Sequence, residues 1–244
     1  MKLYYIVFDE PFTASSAAPD YPASNLQRPE IPRFWTVNFP GAAWFQYQRL
    51  GTSNGEYIAL QDVSPGTTVS SIDTDTTNPP LNTVPGLTIA LDADDAGRRK
   101  GISNAKTTGS FSTSYVRVNL SGLANHQIGS AYRFNTVKSF DDALLRSEIT
   151  TRWPQSEVNL PNGETIIVNR GVPRTQITLR FREPRSADML EMARLARSGI
   201  VWLDLEHPTQ PGWQWPVRLV MPHISRALSG AMQDETTLEF IEVV

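Results

Sequence analysis

The sequence predicts a mainly β protein, and three observations carry that expectation. Segments with strict two-residue alternation recur along the chain. The cleanest is Arg174–Arg182, where Ile177, Leu179 and Phe181 share one face and Gln176, Thr178, Arg180 and Arg182 share the other. Turn formers punctuate these segments, with 18 prolines and 15 glycines in 244 residues and long runs of Ser, Thr, Asp and Asn. Charged residues make up only 19% of the chain, below the usual quarter, and small polar residues fill the difference. That composition suits short strands joined by many turns, and the length suffices for two domains or one large β-domain with a real core.

Residues 1–139 read as an antiparallel β-sandwich. Met1–Glu10 is the opening strand, and Tyr21–Pro29 is a turn-rich connection. Arg33–Val37, Ala43–Leu50 and Glu56–Leu60 are the next strands. Residues 62–84 read as a long exposed loop carrying a short strand near Val69–Ile72, Leu87–Leu91 as a buried strand, and Asp92–Gly109 as a polar loop. Tyr115–Leu120 alternates cleanly, and Ile128–Val137 is a further strand. No internal repeat is visible, and many short strands with frequent turn signals fit a sandwich.

Residues 140–244 read as a second module, with the boundary between Lys138 and Arg146. Ser147–Trp153 is extended. Asn162-Gly163 marks a hairpin turn leading into Glu164–Asn169, because both residues tolerate positive φ. After the strand Arg174–Arg182 a helix is expected over about 187–197. Pro184 precedes it, Ser186 is placed to cap it, Asp188 sits in its first turn, Arg194 and Arg197 near its end, and Gly199 at its stop. Met189, Met192, Leu195 and Ala196 form its apolar stripe, with Leu190 at the edge. The expected core of the module is therefore Ile177, Leu179, Phe181, Met189, Met192 and Leu195. Ile200–Leu205, Pro216–Met221 and Thr236–Val244 supply the remaining strands.

Charge and residue usage exclude several function classes. The net charge of -3 and a pI near 5.7 argue against a bulk electrostatic hold on nucleic acid or on an anionic membrane. No cysteines are present, which removes disulfides and thiolate metal sites. The three histidines, His126, His207 and His223, are far apart, so no metal site is expected from them. The first ten residues turn acidic too early for a secretory signal, and no apolar run approaches the length of a membrane span. The expectation is a soluble protein made in a cytoplasm.

Candidate sites are few. Asp92-Ala93-Asp94-Asp95-Ala96-Gly97 has the look of part of a calcium loop, but the twelfth position counted from Asp92 is Ser103 rather than a closing glutamate. A solvated acidic turn beside Arg98, Arg99 and Lys100 is the plainer reading. Trp35 and Trp44 could present their rings to a sugar or pack into the core, and core packing is favoured because aromatics dominate buried energetics. Phe34-Trp35 and Trp44-Phe45 each place one ring on either side of a strand, so one of each pair must point inward. No nucleophile elbow, phosphate-binding loop or HExxH motif is present, and the expectation is no catalytic residue, no cofactor and no enzyme.

Two stretches resemble proteins of long-tailed bacteriophages. Tyr21-Pro22-Ala23-Ser24-Asn25-Leu26, followed by Arg33-Phe34-Trp35 and Trp44-Phe45-Gln46, resembles the opening of discoidin-like sandwiches in minor tail proteins. Residues 140–244, with Asn162-Gly163, Arg170-Gly171-Val172-Pro173-Arg174, one strand, one helix and closing strands, resemble the split-barrel module of tail tubes and distal tail proteins. The resemblance implies a structural subunit of a tail tip or baseplate located in the virion tail. Its second module would form a homo-oligomeric ring, a hexamer by analogy, joining the tail tube to the hub and meeting the tube, hub and tape-measure proteins. In the best-known distal tail proteins the ring module precedes the decorating sandwich, whereas here the sandwich comes first or is inserted after the opening strand. A carbohydrate-binding module for host-surface attachment is the alternative reading.

Overall fold

A computed structural model of the chain describes residues 1–7, 12–15, 24, 26, 35–36, 41–48, 55–94, 97–107, 115–122, 127–139, 144–152, 155–159, 165–169, 173–182, 199–223 and 235–243. The protein is mainly β. In chain order the strands are β1 (Lys2–Val7), β2 (Thr13–Ala14), β3 (Trp35–Thr36), β4 (Gly41–Gln48), β5 (Tyr57–Val63), β6 (Thr68–Asp75) and β7 (Asn82–Thr83). There follow β8 (Asp92–Ala93), β9 (Arg99–Ile102), β10 (Tyr115–Gly122), β11 (Gln127–Ile128), β12 (Ser130–Ser139) and β13 (Leu144–Arg152). The last are β14 (Gln155–Asn159), β15 (Thr165–Asn169), β16 (Arg174–Arg182), β17 (Val201–Asp204), β18 (Gln214–His223) and β19 (Glu235–Glu242). The chain divides into two compact units, Met1–Ser139 with Val201–Trp215, and Phe140–Ile200 with Pro216–Val244.

In the first unit one antiparallel sheet runs β17-β1-β12-β5-β9-β8 and another runs β2-β4-β10-β6-β7. Alternation decides which side chains the second sheet buries. Val116, Val118 and Leu120 of β10, Ala43, Phe45 and Tyr47 of β4, and Ile72 of β6 all point to one side and are buried. The register locks them together, since Val118 pairs with Phe45 on one flank and Ile72 on the other. Ile58 and Leu60 of β5, from the other sheet, join the same cluster with Trp35 and Leu26, which gives a sandwich-like core. Phe12, Trp35 and Tyr47 close it through edge-to-face ring contacts of 5.5–6.1 Å to Phe45 and Phe12.

One charged pair lies inside this apolar layer. Arg133 of β12 pairs in register with Ile58, and its side chain is 1% exposed. Its Nε and Nη2 donate to the two Glu56 carboxylate oxygens, each at 3.1 Å. The guanidinium lies 3.9 Å from the centre of the Tyr47 ring, so it touches a strand of the opposite sheet. Glu56 is itself held from the main chain, with its amide donating to Thr107 Oγ1 at 3.3 Å and its carbonyl accepting from the Thr107 amide at 2.8 Å.

Residues Val201–Trp215 belong to the first unit for a specific reason. β17 lies beside β1, pairing Leu3 with Leu203 and Tyr4 with Trp202. Trp202 is fully buried, its ring centre 6.0 Å from Tyr132 and 6.4 Å from Phe134, and Tyr4 meets Tyr57 edge-on at 4.9 Å. Its indole N–H donates to Gln214 Oε1 at 3.1 Å, which satisfies the one polar atom that burial would otherwise strand.

Three expectations from the sequence need correction. Residues 62–84 hold the eight-residue strand β6 and its partner β7 rather than a long loop. Most of the outward positions of β6 are Ser and Asp, and Ile72 is its one large inward side chain, so the hydrophobic alternation was too thin to read. Leu87–Leu91 is not a strand, although Leu87 and Ile89 are buried, and a single bridge joins Ile89 to Ser103. Gly101 permits that approach, because a Cβ there would sit 1.8 Å from the Ala90 carbonyl oxygen. Asp92–Gly109 is not all loop, since β8 and β9 lie within it and Lys100 is fully buried there.

In the second unit the sheet order is β13-β16-β19-β18, and β14 pairs with β15 as a hairpin from Asn159↔Thr165 outward. Ile177, Leu179 and Phe181 are buried on one face of β16, opposite Phe240, Leu238 and Thr236 of β19. The Thr175 amide donates to Glu242 Oε2 at 3.0 Å, which satisfies a buried carboxylate oxygen at the end of this pair. The helix expected over 187–197, with Met189, Leu190, Met192 and Leu195, and the turn Asn162-Gly163 lie outside the described residues.

The buried Arg133–Glu56 pair generates a prediction. Arg133→Met leaves the Glu56 carboxylate buried without its cation, and urea denaturation should show a loss of about 3–5 kcal/mol. Adding Glu56→Gln to Arg133→Met removes the stranded charge and should recover part of that loss. A single variant as stable as the parent would mean that the pair contributes nothing inside the sandwich.

Candidate functional site

The outer face of the five-stranded sheet carries the most organised polar surface in the first unit. The register that sends Phe45, Val118 and Ile72 inward sends Trp44, Gln46 and Gln48 of β4 outward, with Tyr115, Arg117 and Asn119 of β10 and Ser71, Asp73 and Asp75 of β6. Asn119 is flanked by Trp44 and Ser71, and Arg117 by Gln46 and Asp73. The result is a grid in which each polar side chain has a neighbour about one strand spacing away.

Hydrogen bonds fix this grid before any ligand arrives. Arg117 donates from Nε and Nη2 to Gln46 Oε1 at 3.2 and 2.9 Å, and Gln46 Nε2 donates to Asn78 Oδ1 at 2.8 Å. The Arg117 guanidinium lies 4.1 Å from the centre of the half-buried Trp44 ring. Asn119 Nδ2 donates to Ser71 Oγ at 2.9 Å and to Asp73 Oδ2 at 2.5 Å, and Thr83 Oγ1 donates to Asp73 Oδ1 at 2.7 Å. Desolvation lowers the Arg117 pKa against the opposing pull of Asp73. At the rim, burial works to raise the Asp75 carboxyl, but amide donors from Thr76, Thr77 and Leu81 prevail and lower it.

The arrangement brings a tryptophan ring, a guanidinium and side-chain amides together on one sheet face. It offers a ring edge, a planar cation and amide groups at fixed spacing on a shallow surface. Among the described residues no group of three or more His, Cys, Asp or Glu side chains is placed to hold a metal ion.

The structure separates the two tryptophans singled out from the sequence. Trp35 is fully buried against Phe45 and presents no face to solvent. Trp44 lies on the outer sheet face, and its neighbour Phe45 fills the core. Arg117 and Asn119, which give the face its chemistry, were not singled out from the sequence. Their signal was present in the alternation of Tyr115–Leu120, whose polar positions must share the face opposite Val116 and Val118. His126 lies outside the described residues, and the His207 ring rests 4.6 Å from that of Trp213.

The acidic turn at Asp92–Gly97 is an ion-pair site. Asp94 Oδ2 accepts from Lys100 Nζ at 2.8 Å and from Arg98 Nη2 at 3.1 Å, while the Arg98 amide donates to Asp94 Oδ1 at 2.9 Å. Both carboxylate oxygens are thus engaged by this chain's own donors. The Lys100 ammonium also sits 4.8 Å from the centre of the Trp215 ring. Burial pushes the Asp94 carboxyl up, but the charges and hydrogen bonds of Lys100 and Arg98 outweigh it and hold the group below its usual range.

No protein-family model matches the chain, and no curated protein matches it.

Two predictions follow from these placements. Because the folded Asp94 pKa lies below its ordinary value of 3.8, its stabilisation is fully present above that value and fades as pH falls through the folded pKa. Asp94→Asn should therefore be less stable than the parent at pH 7, with the gap narrowing below pH 3.8, as read by urea titrations at both ends. A gap that widens on acidification would reverse the assignment. For the tryptophans, Trp35→Ala should cost roughly 3–5 kcal/mol, as truncating buried aromatics does. Trp44→Ala should cost far less, and equal losses in thermal melting would contradict the split between core and surface.

Proposed function

We propose that the protein is a structural subunit of the tail tip of a long-tailed phage, acting by assembly, with the second unit, residues 140–200 and 216–244, forming the module that meets other copies in a ring. The observation that carries this reading is β13. It stands at the end of the second unit's sheet, pairs with β16 alone among the described residues, and exposes Ser147, Glu148, Thr150, Thr151 and Arg152. A nine-residue edge strand is a template for pairing with another chain unless something covers it. Closed homo-oligomers are the common way for such edges to be satisfied. The discoidin-like character of the sandwich, the split-barrel character of residues 140–244 and the hexameric stoichiometry follow from the resemblance of the sequence to distal tail proteins. On this reading the tube, hub and tape-measure proteins are neighbours, and the subunit carries no enzymatic activity or cofactor.

A second reading has its own observation. The Trp44–Arg117 face suits a flat, hydroxyl-rich ligand, which supports a carbohydrate-binding role in attachment to a host surface. It is compatible with the first reading if the sandwich decorates the outside of the ring.

Imaging of particles that contain the chain tests the leading reading. A closed ring of copies around a tail axis is the expected result. Isolated copies on peripheral fibres would overturn it. A glycan array with the parent and Trp44→Ala tests the second: bound glycans lost in a variant that still melts as a folded protein would support it, and no bound glycan would remove it.

A further inference from the structure

β13 stands apart from the other strands at sheet ends. β2, β7 and β8, which end sheets of the first unit, are two residues long, whereas β13 has nine. Short edges, prolines and lysines are the usual means of stopping an edge strand from adding to another chain. β13 contains neither proline nor lysine. Its one irregularity of register lies between Leu144 and Arg146, and residues 147–152 pair one for one with β16.

The charges on this stretch are unanswered within the chain. Glu148 and Arg152 are both exposed, and they share one face of the strand with Thr150. Neither forms an ion pair among the described residues. Across the ladder Glu148 meets Thr178, and Arg152 meets a second exposed arginine, Arg174. Like charges directly opposite on a sheet repel, so Arg152 gains from a carboxylate on its open side. On the other face Ser147 and Thr151 are exposed and Ile149 is half-buried, although their partners Leu179, Thr175 and Ile177 are buried. The inward row therefore ends uncovered at β13.

We propose that β13 pairs antiparallel with β13 of a second copy, about a two-fold axis through Thr150. Such an axis stands normal to the sheet and keeps each side chain on its own face, so opposed residues differ by an even number. The candidate centres run from Glu148 to Arg152. An axis at Glu148 or at Arg152 sets like charges face to face. One at Ile149 sets Glu148 against Thr150, and one at Thr151 sets Arg152 against Thr150. Only the axis at Thr150 sets Glu148 against the second copy's Arg152, and symmetry makes that contact twice. It also opposes Ile149 to Thr151 and Thr150 to itself, a pairing that threonine hydroxyls support. Arg152 then lies between Arg174 of its own chain and Glu148 of the second copy. The proposal shares with the tail-tip reading only the premise that β13 meets another copy. Rings of dihedral symmetry contain two-fold contacts of this kind beside their cyclic ones.

The chain has no cysteine, so a single introduced one reports the register. Cα atoms directly opposed on an antiparallel pair are about 4.5–5.5 Å apart, within disulfide reach. Thr150→Cys should therefore give a covalent dimer of the full chain under mild oxidation. Thr151→Cys should not, because its two copies stand two residues out of register, beyond about 7 Å. Charge variants are followed by sedimentation equilibrium, with melting curves to check that each is folded. Glu148→Arg and Arg152→Glu should each weaken self-association by about tenfold, since each turns two opposite-charge contacts into like-charge ones. Mixed in equal amounts, the two variants should associate with each other as tightly as the parent does with itself, because every opposed pair is again of opposite sign. A parent chain that stays monomeric, cross-linking at residue 151 in preference to 150, or a mixture that associates no better than its parts would overturn the proposal. Cross-linking through residue 150 without rings in particle images would keep this contact and remove the tail-tip reading. Rings in those images with a monomeric chain or with cross-linking at 151 would do the reverse.

Discussion

The buried pair of Arg133 and Glu56 is the constraint on which the first unit depends. It places a full charge of each sign in a layer otherwise made of Phe45, Ile58, Leu60, Val116 and Val118. Such a pair is tolerated only in one geometry, because displacement of either partner leaves a desolvated charge. Both Glu56 oxygens are taken by the guanidinium, and the guanidinium in turn rests on Tyr47 of the opposing sheet. The pair therefore specifies how β12, the start of β5 and β4 meet. Apolar packing alone would allow small slips between them.

The same logic recurs at Lys100. A lysine in a strand interior with no solvent exposure would be expelled if it stood alone. Asp94 supplies the counter-charge from a turn six residues earlier, Arg98 secures that carboxylate, and Trp215 offers a ring to the ammonium. What reads in sequence as a calcium-like acidic loop thus serves as the anchor for a buried cation. Among the described residues of the first unit, the Arg133–Glu56 and Lys100–Asp94 pairs and the polar outer face are each ordered by their own hydrogen bonds.

The polar face and an open cleft lined by β1 and the loop after β17 differ in kind. On the face, most hydrogen-bonding capacity is spent on neighbours, so a ligand would meet a preordered but shallow surface. The cleft is instead a concave site of about 290 Å³, the more usual setting for a small molecule. Neither feature requires the other, and both lie within the first unit.

The sequence by itself determined the mainly β class, the strands with clean alternation and the inward set of β16. These follow from a local rule, since neighbouring side chains on a strand must face opposite ways. The alternation of β10 also fixed Arg117 and Asn119 on the solvent side before any partner was known. Tertiary structure alone decided that Trp35 is core while Trp44 is surface, because each sits beside another aromatic and only the sheet's position chooses between them. It alone made Arg133 interior, since its charge enters the core only because Glu56, 77 positions away in the chain, is delivered to it. It alone assigned Val201–Trp215 to the first unit, because the ring contacts of Trp202 with Tyr132 and Phe134 join residues about seventy positions apart.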